Sequence, residues 1–446
     1  MAGKREQWAS GRGFVLATIG AAVGLGNIWR FSYVAGENGG GAFLLIYLVS
    51  IILVGAPIVL AELAIGRRAA GDAVAGFEVA APDSRWRFAG WVGVAGSFLI
   101  LSYYSVIAGW ALKYLAGGLT GGLWRAASAG YGDYFARFIS NAGEPVAWQM
   151  AMLGATMLIV AGGVQRGIEA VNRILMPLLA VFVLILAVYA ATLPGAGVGW
   201  RFLLVPEWGA IWRTEVYIAA LGQAFFSLGI GMAVFITYAS YMTRETRIPR
   251  SAGAIIVGDS LFAIIAGLAI FPAVFAFGMD PQAGPQLAFI TLPQIFLSMP
   301  GGQVVGVLFF ALLVVAAMTS MVALLEVPVA TVIHRTPLRR WGAVTAVGTG
   351  AFLIGIPSAL SFGLLAGVQV SGQGLLDFID QSVSNYVLPL AGLLVCFYVG
   401  WRWRRQDALT AADLQGSAVG PIWLWLLRLV APATILLILI DAAGLL

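Results

Sequence analysis

Long apolar runs separated by short polar stretches recur along the whole chain. Eleven of these runs can be traced, at 12–36, 41–67, 88–117, 147–164, 167–191, 215–241, 250–278, 301–333, 341–357, 375–401 and 419–444. Each is long enough to cross the roughly 30 Å hydrocarbon core of a bilayer as an α-helix, and none shows the short alternating segments of a membrane β-barrel. The pattern therefore predicts an all-α polytopic membrane protein with about 11 transmembrane helices.

Two of the runs are interrupted near their midpoints by glycines. The first contains GAAVGLGN at 20–27, and the sixth contains FFSLGIGM at 225–232. Such glycines fit either close helix packing or a discontinuous helix. Because the two runs are five apart in chain order, we predict two five-helix halves that form an inverted repeat, with helices 1 and 6 discontinuous.

This repeat defines the predicted organisation of the chain, a single transmembrane transporter domain over 1–446. We predict the first repeat at 1–191, an extracellular loop at 192–214, the second repeat at 215–403, and a cytoplasmic linker with helix 11 at 404–446. The stretch LAFITLPQIFLSMP at 287–300 is too apolar for a free loop, so we expect a hairpin-like lid over the helices.

Composition agrees with a membrane protein, since charged residues make up only 10% of the 446 residues against roughly 25% in soluble domains. The net charge of +5 does not indicate a nucleic-acid partner, because arginine clusters such as Arg67 and Arg68 fall in every second loop. With Lys4 and Arg5 at the start, this distribution predicts a cytoplasmic N-terminus, and the odd number of runs then predicts an outside C-terminus. Only Lys4 and Lys113 are lysines among 25 basic residues, which is typical of a GC-rich genome and points to a bacterial inner membrane.

Polar groups inside the apolar runs are costly and are therefore candidates for function. The ionisable ones are Arg30, Glu37, Glu62, Asp259, Glu326 and Asp380. An unwound helix offers free carbonyls to a cation and free N–H groups to an anion, a combination that suits Na⁺ together with a zwitterion. Less specific interpretations stay open: hydroxyls such as Thr319 and Ser320 often bond back to their own helix, and Glu62 can pair with Gln223.

Several longer motifs narrow the choice. The sequence resembles the neurotransmitter:sodium symporters of the bacterial branch in KREQWAS, AAVGLGNIWRF, ENGGGAF, GQAFFSLGIGM followed by ITYASY, and the AxxTS pattern at 316–320. The resemblance covers essentially the whole chain. It implies the LeuT fold, sodium-coupled symport of amino acids rather than enzymatic activity, two sodium ions and no organic cofactor.

The resemblance also implies the ligands of two sodium sites. The first would use the carbonyl of Ala22 with Asn27, Ser227, Asp259 and the substrate carboxylate. The second would use the carbonyls of Gly20, Val23 and Ala316 with the hydroxyls of Thr319 and Ser320.

The same resemblance implies the substrate site and the gates. The amides of Leu25 and Gly26 and the Tyr104 hydroxyl would hold the substrate carboxylate, next to Ala22 and Ser227. The side-chain subsite would be lined by Ile100, Phe226, Gly229, Met232, Ser320 and Leu324, with Phe226 as an aromatic lid. The outer gate would be Arg30 with Asp380. For the inner gate, Arg5 is the usual cation, but His334 stands where its acid is expected, so Trp8 and Tyr241 are the alternative.

Departures from the family pattern refine the function. Asp259 stands where some members have Asn, and Ala263 where others have Ser or Glu, so we expect a fixed carboxylate to replace chloride. Gly229 leaves room for a large substrate side chain, and Gly24 stands where carriers of monoamines have an acid. We therefore expect neutral hydrophobic L-amino acids, bulky aliphatic or aromatic, as substrates.

Other functions are weighed against this one. An ion channel needs no zwitterion pocket, and an intramembrane enzyme is not supported by any Gly-x-Ser-x-Gly motif, paired histidines or metal-ligand cluster. An amino acid sensor on the same fold stays open at this point.

Overall fold

All eleven predicted runs are helical in a computed structural model of the chain, which describes residues 6–79, 84–126, 130–243, 245–279 and 287–445. We label the helices in chain order and divide the two discontinuous ones. They are α1a Gly11–Ala22, α1b Gly26–Glu37, α2 Gly41–Ala69, α3 Arg87–Leu119, α4 Glu144–Ala161, α5 Val164–Ala191, α6a Thr214–Leu228, α6b Val234–Ser240, α7 Ile248–Ala276, α8 Gly302–Arg335, α9 Arg340–Ala359, α10 Leu375–Arg402 and α11 Val419–Ala442.

Short elements join these helices. Further helices run over Ala73–Glu78, Gly122–Arg125, Tyr131–Ile139, Ala196–Leu204, Ala210–Trp212, Thr291–Ser298 and Arg405–Ala411. In the described residues the strands are β1 (Gln369–Val370) and β2 (Gln373–Gly374), an antiparallel pair in which Gln369 lies opposite Gly374. Nine described helices are long and apolar enough to span a membrane, and α1a with α1b forms a bent tenth.

Helix α1a lies at the centre of the bundle. The Ser10 hydroxyl caps its first turn by accepting the N–H of Gly13 at 2.9 Å. Its sides pack against α5, α7 and α8, while α6a and α6b lie along the two ends of α2. Elsewhere in the described part of the bundle, α3 packs extensively against α8. Both broken helices are therefore enclosed by continuous ones, which is the condition under which irregular backbone is tolerated at membrane depth.

The apolar stretch expected to form a lid is packed onto the bundle. Its helix Thr291–Ser298 buries Leu292, Ile295 and Phe296 and contacts α8. Just before it, Phe289 lies against Trp29 of α1b and Trp110 of α3, with ring centroids 6.1 and 5.9 Å apart. The stretch thus covers the helices as expected.

The single cysteine belongs to the packed interior. Cys396 lies on α10 and is fully buried. Its thiol is therefore part of the helix packing, as its apolar surroundings in the sequence indicate.

Candidate functional site

The first helix breaks at the glycine-rich stretch that the sequence singled out. α1a ends at Ala22, α1b begins at Gly26, and the two are bent by 52°. In a continuous helix the N–H of Gly24 would donate to the carbonyl of Gly20, but here it donates to Asn27 Oδ1 at 3.1 Å. The carbonyl of Gly20 is thus released from its helical partner.

The sixth helix breaks at GIG. α6a ends at Leu228, Gly229 follows it with φ +70°, Gly231 has φ +81°, and α6b begins at Val234. Both glycines occupy the left-handed region that other residues adopt only with strain. The space that the absent side chain leaves is filled differently at the two positions, however. A Cβ on Gly231 would lie 2.6 Å from the carbonyl oxygen of Leu388 on α10, whereas one on Gly229 would meet only Met232 Sδ at 3.4 Å. Only Gly229 faces the cavity described below, so the second glycine serves helix packing.

A cluster of buried polar side chains connects the two breaks to α7. Asn27 Nδ2 donates to Asp259 Oδ1 at 2.6 Å and to Ser227 Oγ at 2.9 Å. Ser227 Oγ in turn donates to Asp259 Oδ2 at 2.8 Å. Tyr47 of α2, which the sequence analysis missed, donates to Ser227 Oγ at 3.1 Å. All four side chains are buried, so the carboxylate is surrounded by oxygens that could share a cation.

Of the residues expected at the second sodium site, Val23, Ala316 and Thr319 lie together where the first break meets α8. Thr319 Oγ1 donates to the carbonyl of Ala316 at 2.9 Å and lies 3.5 Å from that of Val23. Ser320 Oγ donates to the carbonyl of Ala21 at 3.3 Å. Thr319 therefore bonds back to its own helix, as the less specific interpretation expects, and also reaches the broken helix; its role as a sodium ligand stays a prediction.

A small cavity of about 40 Å³ lies between the two breaks. Of the residues expected to bind substrate, its lining includes Ala22, Gly26, Ile100, Tyr104, Phe226, Ser227, Gly229, Met232, Ser320 and Leu324. Gly24, noted in the sequence for its missing acid, also lines the cavity; the lining residues that the sequence did not indicate are Ala21, Leu228, Val234 and Phe235. The expected substrate residue outside this lining is Leu25, whose N–H donates to the Tyr104 hydroxyl at 3.0 Å.

Gly24 shapes the polar end of this cavity. A Cβ at this position would lie 2.5 Å from Ser320 Oγ and 3.0 Å from the Tyr104 hydroxyl. An acidic side chain could not enter here without displacing both groups. The site therefore offers hydroxyl and backbone groups but no carboxylate at position 24.

A large cavity of about 660 Å³ lies on the other side of Phe226 and Tyr104, which line both cavities. Arg30 and Asp380 line it together. Within the described residues they form no ion pair with each other. Arg30 instead donates to Gln223 Oε1 at 2.9 Å and lies 4.7 Å from the centre of the Phe226 ring. The two expected gate residues thus face a shared open space without closing it.

The opposite end of the bundle is closed near the N-terminus. Trp8 is buried, its indole N–H donates to the carbonyl of Tyr238 at 2.8 Å, and its ring packs edge-on against Tyr241. His334 is half-exposed, with Nε2 3.9 Å from Asp72. Arg5 lies outside the described residues. Of the expected inner-gate residues, Trp8 and Tyr241 are therefore those that the structure brings together.

Glu326, for which the sequence indicated no role, joins this closed end. It accepts a hydrogen bond from the Tyr241 hydroxyl at 2.7 Å and one from Arg340 at 2.5 Å. Arg340 also donates to Glu6 at 3.1 Å, and Glu6 accepts the N–H of Val164 at 2.9 Å. This chain of contacts links α6b, α8, α9, α5 and the N-terminal segment.

The expected pairing of Glu62 with Gln223 is wrong. Glu62 Oε1 accepts the N–H of Gly231 at 2.9 Å, whereas Gln223 Nε2 donates to the carbonyl of Gly26 at 3.0 Å. The two side chains therefore bond at different breaks. Glu62 accepts a free amide N–H in the break between α6a and α6b, and Gln223 connects the break between α1a and α1b to Arg30.

Comparisons with known proteins agree with this arrangement. The family model described as the sodium:neurotransmitter symporter family matches residues 5–134 and 129–444. An uncharacterized sodium-dependent transporter of Bacillus subtilis, YhdH, is 41% identical over 99% of each chain, and one from Haemophilus influenzae is 32% identical over 98% of each. The crystal structure of MhsT in complex with L-phenylalanine matches with a TM-score of 0.92 and 51% identity, covering 98% of this chain and 100% of that one.

Proposed function

The chain belongs to the sodium:neurotransmitter symporter family, and from this premise we propose that it carries neutral hydrophobic L-amino acids into the cell together with sodium. The observation that carries the proposal is the small cavity between the two helix breaks. It combines the Tyr104 hydroxyl and the backbone at Gly26 at one end with Ile100, Met232 and Leu324 around the rest. This arrangement suits a zwitterion with an apolar side chain.

The chemistry of the cavity lining supports bulky aliphatic or aromatic substrates. Gly229 adds no side chain, and the flexible Met232 can adapt its position. The similar protein MhsT has been crystallised with L-phenylalanine, which agrees with an aromatic substrate. A monoamine without a carboxylate is disfavoured, because Gly24 provides no acid to replace that carboxylate.

We further propose that two sodium ions accompany the substrate without chloride. Asp259 with Asn27 and Ser227 would hold the first ion, and Thr319 and Ser320 with carbonyls of α1 the second. A buried carboxylate at Asp259 offsets the charge of the cation, so that no separate anion is needed. We also propose that the protein lies in the bacterial inner membrane with its N-terminus in the cytoplasm and its C-terminus outside.

Transport follows from alternating access of the site between the breaks. Sodium and substrate bind to both broken helices and to the continuous helices around them. Binding of the two ligands therefore favours the form in which these helices are closed around the site. With two sodium ions and one zwitterion, two charges cross; at about 100 mV this supplies about 4.6 kcal/mol, enough for roughly a thousandfold accumulation. Arg30 and Asp380 would close the large cavity, and Trp8 and Tyr241 the opposite end.

A binding screen of the twenty amino acids against the purified protein, in NaCl and in choline chloride, tests the proposal. We expect sodium-dependent binding of leucine, phenylalanine or tryptophan, and its loss in Tyr104→Phe, which lacks the hydroxyl. Binding of dopamine-like amines but not of these amino acids would contradict the proposed substrate class.

Counterflow in proteoliposomes then separates a carrier from a sensor. A carrier exchanges external labelled substrate for internal unlabelled substrate, and a sensor on the same fold does not. Sodium-dependent binding without counterflow would therefore favour the sensor.

A further inference from the structure

Asn172 of α5 carries an unexplained buried polar atom. Its side chain is 1% exposed, and its Nδ2 donates to the carbonyl of Ile168 at 2.9 Å. Its Oδ1 has no hydrogen-bond partner among the described residues. A buried acceptor without a donor loses its hydration without compensation, so a group of this kind calls for an explanation.

The unpartnered oxygen is directed at Gly20, in the last turn of α1a before the first helix break. A Cβ on Gly20 would overlap Asn172 Oδ1, so only glycine allows the amide to come this close to α1a. Gly20 is also the residue whose carbonyl loses its helical donor, because the N–H of Gly24 turns to Asn27. The free amide oxygen and the released carbonyl therefore lie at the same level of the bundle, on facing helices.

A second oxygen-bearing side chain, the carboxylate of Glu169, lies one turn earlier on α5. Glu169 is buried, and its carboxylate accepts the N–H of Ala9 at 2.7 Å and a hydrogen bond from Ser10 at 3.3 Å. A Cβ on Gly13 of α1a would overlap this carboxylate. Glycines at 13 and 20 thus leave room for oxygen-bearing side chains at 169 and 172 between the two helices. This polar seam runs from the level of Gly20 toward the N-terminal segment.

We propose that Asn172 Oδ1 is an additional oxygen ligand for a sodium ion held at Gly20, engaged when the ion lies on the N-terminal side of the second sodium site. The inference rests on the proposed sodium coupling. Sodium prefers several oxygen ligands, and an amide carbonyl supplies one without adding charge. The ion would in turn give the buried acceptor the partner that the protein does not provide.

Sodium-induced thermal stabilisation of the purified full-length protein tests this without any amino acid. The probe is NaCl titrated against choline chloride at constant ionic strength, with the melting temperature as readout. Asn172→Leu keeps the approximate size but removes the oxygen, and we expect it to raise the sodium concentration for half-maximal stabilisation at least about tenfold. Asn172→Asp retains an oxygen and adds charge, so it should lower that concentration.

A matched control is Gln149→Leu. Gln149 Oε1 on α4 is also buried and without a partner, but its amide bonds to α3 and α9, away from α1. This variant should leave the sodium concentration unchanged even if it lowers the melting temperature. An equal shift in both leucine variants would show general destabilisation and overturn the inference.

Other outcomes are equally decisive. If Asn172→Leu needs the same sodium concentration as the unmodified protein, the role of Asn172 is overturned. If the leucine variant does not fold, Asn172→Asp decides: a sodium concentration for half-maximal stabilisation that is unchanged or raised in this variant overturns the role. Absence of any sodium effect on the unmodified protein would overturn it as well. If sodium stabilises the protein but no amino acid binds in the screen, the proposed substrate fails while the role of Asn172 is still decided by the titration.

Discussion

Asp259 is the residue on which the proposed ion chemistry depends most. It is buried and accepts hydrogen bonds from Asn27 and Ser227. We expect Asp259→Asn to raise the sodium concentration for half-maximal phenylalanine binding at least about tenfold, because an amide no longer offsets the charge of the cation. Asp407→Asn, on the short helix Arg405–Ala411, is the control and should behave as the unmodified protein.

The same residue predicts independence from chloride. Uptake by the unmodified protein at saturating sodium should be unchanged when gluconate replaces chloride, because the carboxylate already supplies the negative charge. In Asp259→Asn, chloride should restore part of the lost sodium affinity. Loss of wild-type uptake in gluconate would show that the carboxylate does not serve this purpose.

Arg30 connects the substrate site to the large cavity through Gln223 and the Phe226 ring. We expect Arg30→Ala to speed dissociation of bound substrate about tenfold, equivalent to about 1.4 kcal/mol, without unfolding the protein. Measuring release of labelled phenylalanine after dilution checks this. Combining Arg30→Asp with Asp380→Arg should recover part of the loss if the two residues meet when the cavity closes; no recovery would mean that they do not pair.

Some contacts of the site could be predicted from the sequence, and others could not. The residue types around Asn27, Ser227 and Asp259 could be selected from motifs, and the structure places them within hydrogen-bond distance. The partners of Glu62 and Glu326 could not be predicted. Glu62 bonds to a backbone amide 169 residues away, and Glu326 to a tyrosine 85 residues away. Such pairings depend on how the helices pack, which spacing along one chain does not encode.

At the level of elements, the break in α6 depends on two glycines with different constraints. Gly231→Ala combines a left-handed φ with a Cβ 2.6 Å from a backbone oxygen, so it should destabilise the protein more than Gly229→Ala, which meets only strain of about 1 kcal/mol. Thermal unfolding with and without substrate compares the two.

Gly222→Ala in α6a is the matched control for these variants. A Cβ there meets nothing within 4 Å, so the substitution should be neutral or slightly stabilising. Equal destabilisation by the substitutions at 231 and 229 would contradict the close approach to α10.

The bounds of the long helices were largely predictable, because the apolar runs mark the parts of the chain that cross the bilayer. The run expected at 88–117 forms Arg87–Leu119, and that at 375–401 forms Leu375–Arg402. Hydropathy alone could not separate a broken helix from a continuous one; the glycine and asparagine positions made that distinction. The short helices Ala196–Leu204 and Tyr131–Ile139 were not predicted, because their apolar faces pack on other helices over lengths too short to span a membrane.

For the whole molecule, the contacts at the two ends of the bundle differ. The large cavity separates Arg30 from Asp380, whereas the N-terminal end is held by the contacts of Tyr241, Glu326, Arg340 and Glu6. Opening that end requires these contacts, of which the one between Tyr241 and Glu326 is buried, to break. Under the proposed alternating access, we expect this network to set the balance between the carrier's two orientations.

Glu326→Gln tests this balance, since it keeps a hydrogen-bonding group for Tyr241 but removes the charge that pairs with Arg340. We expect faster hydrogen exchange at backbone amides of residues 6–13 and weaker substrate binding, because the closed N-terminal end is disfavoured. Arg339→Ala, next to Arg340 but exposed, is the control. Unchanged exchange in Glu326→Gln would mean that other contacts keep this end closed.

The burial of Cys396 has a practical consequence for following these movements. The only thiol of the chain lies on the buried side of α10. Maleimide or thiol-reactive nitroxide reagents should therefore leave the native protein unmodified. Pairs of cysteines introduced at the rims of the bundle could then carry spin labels or fluorophores without first removing a native thiol. Distances between such probes would report directly on which end opens as sodium is added.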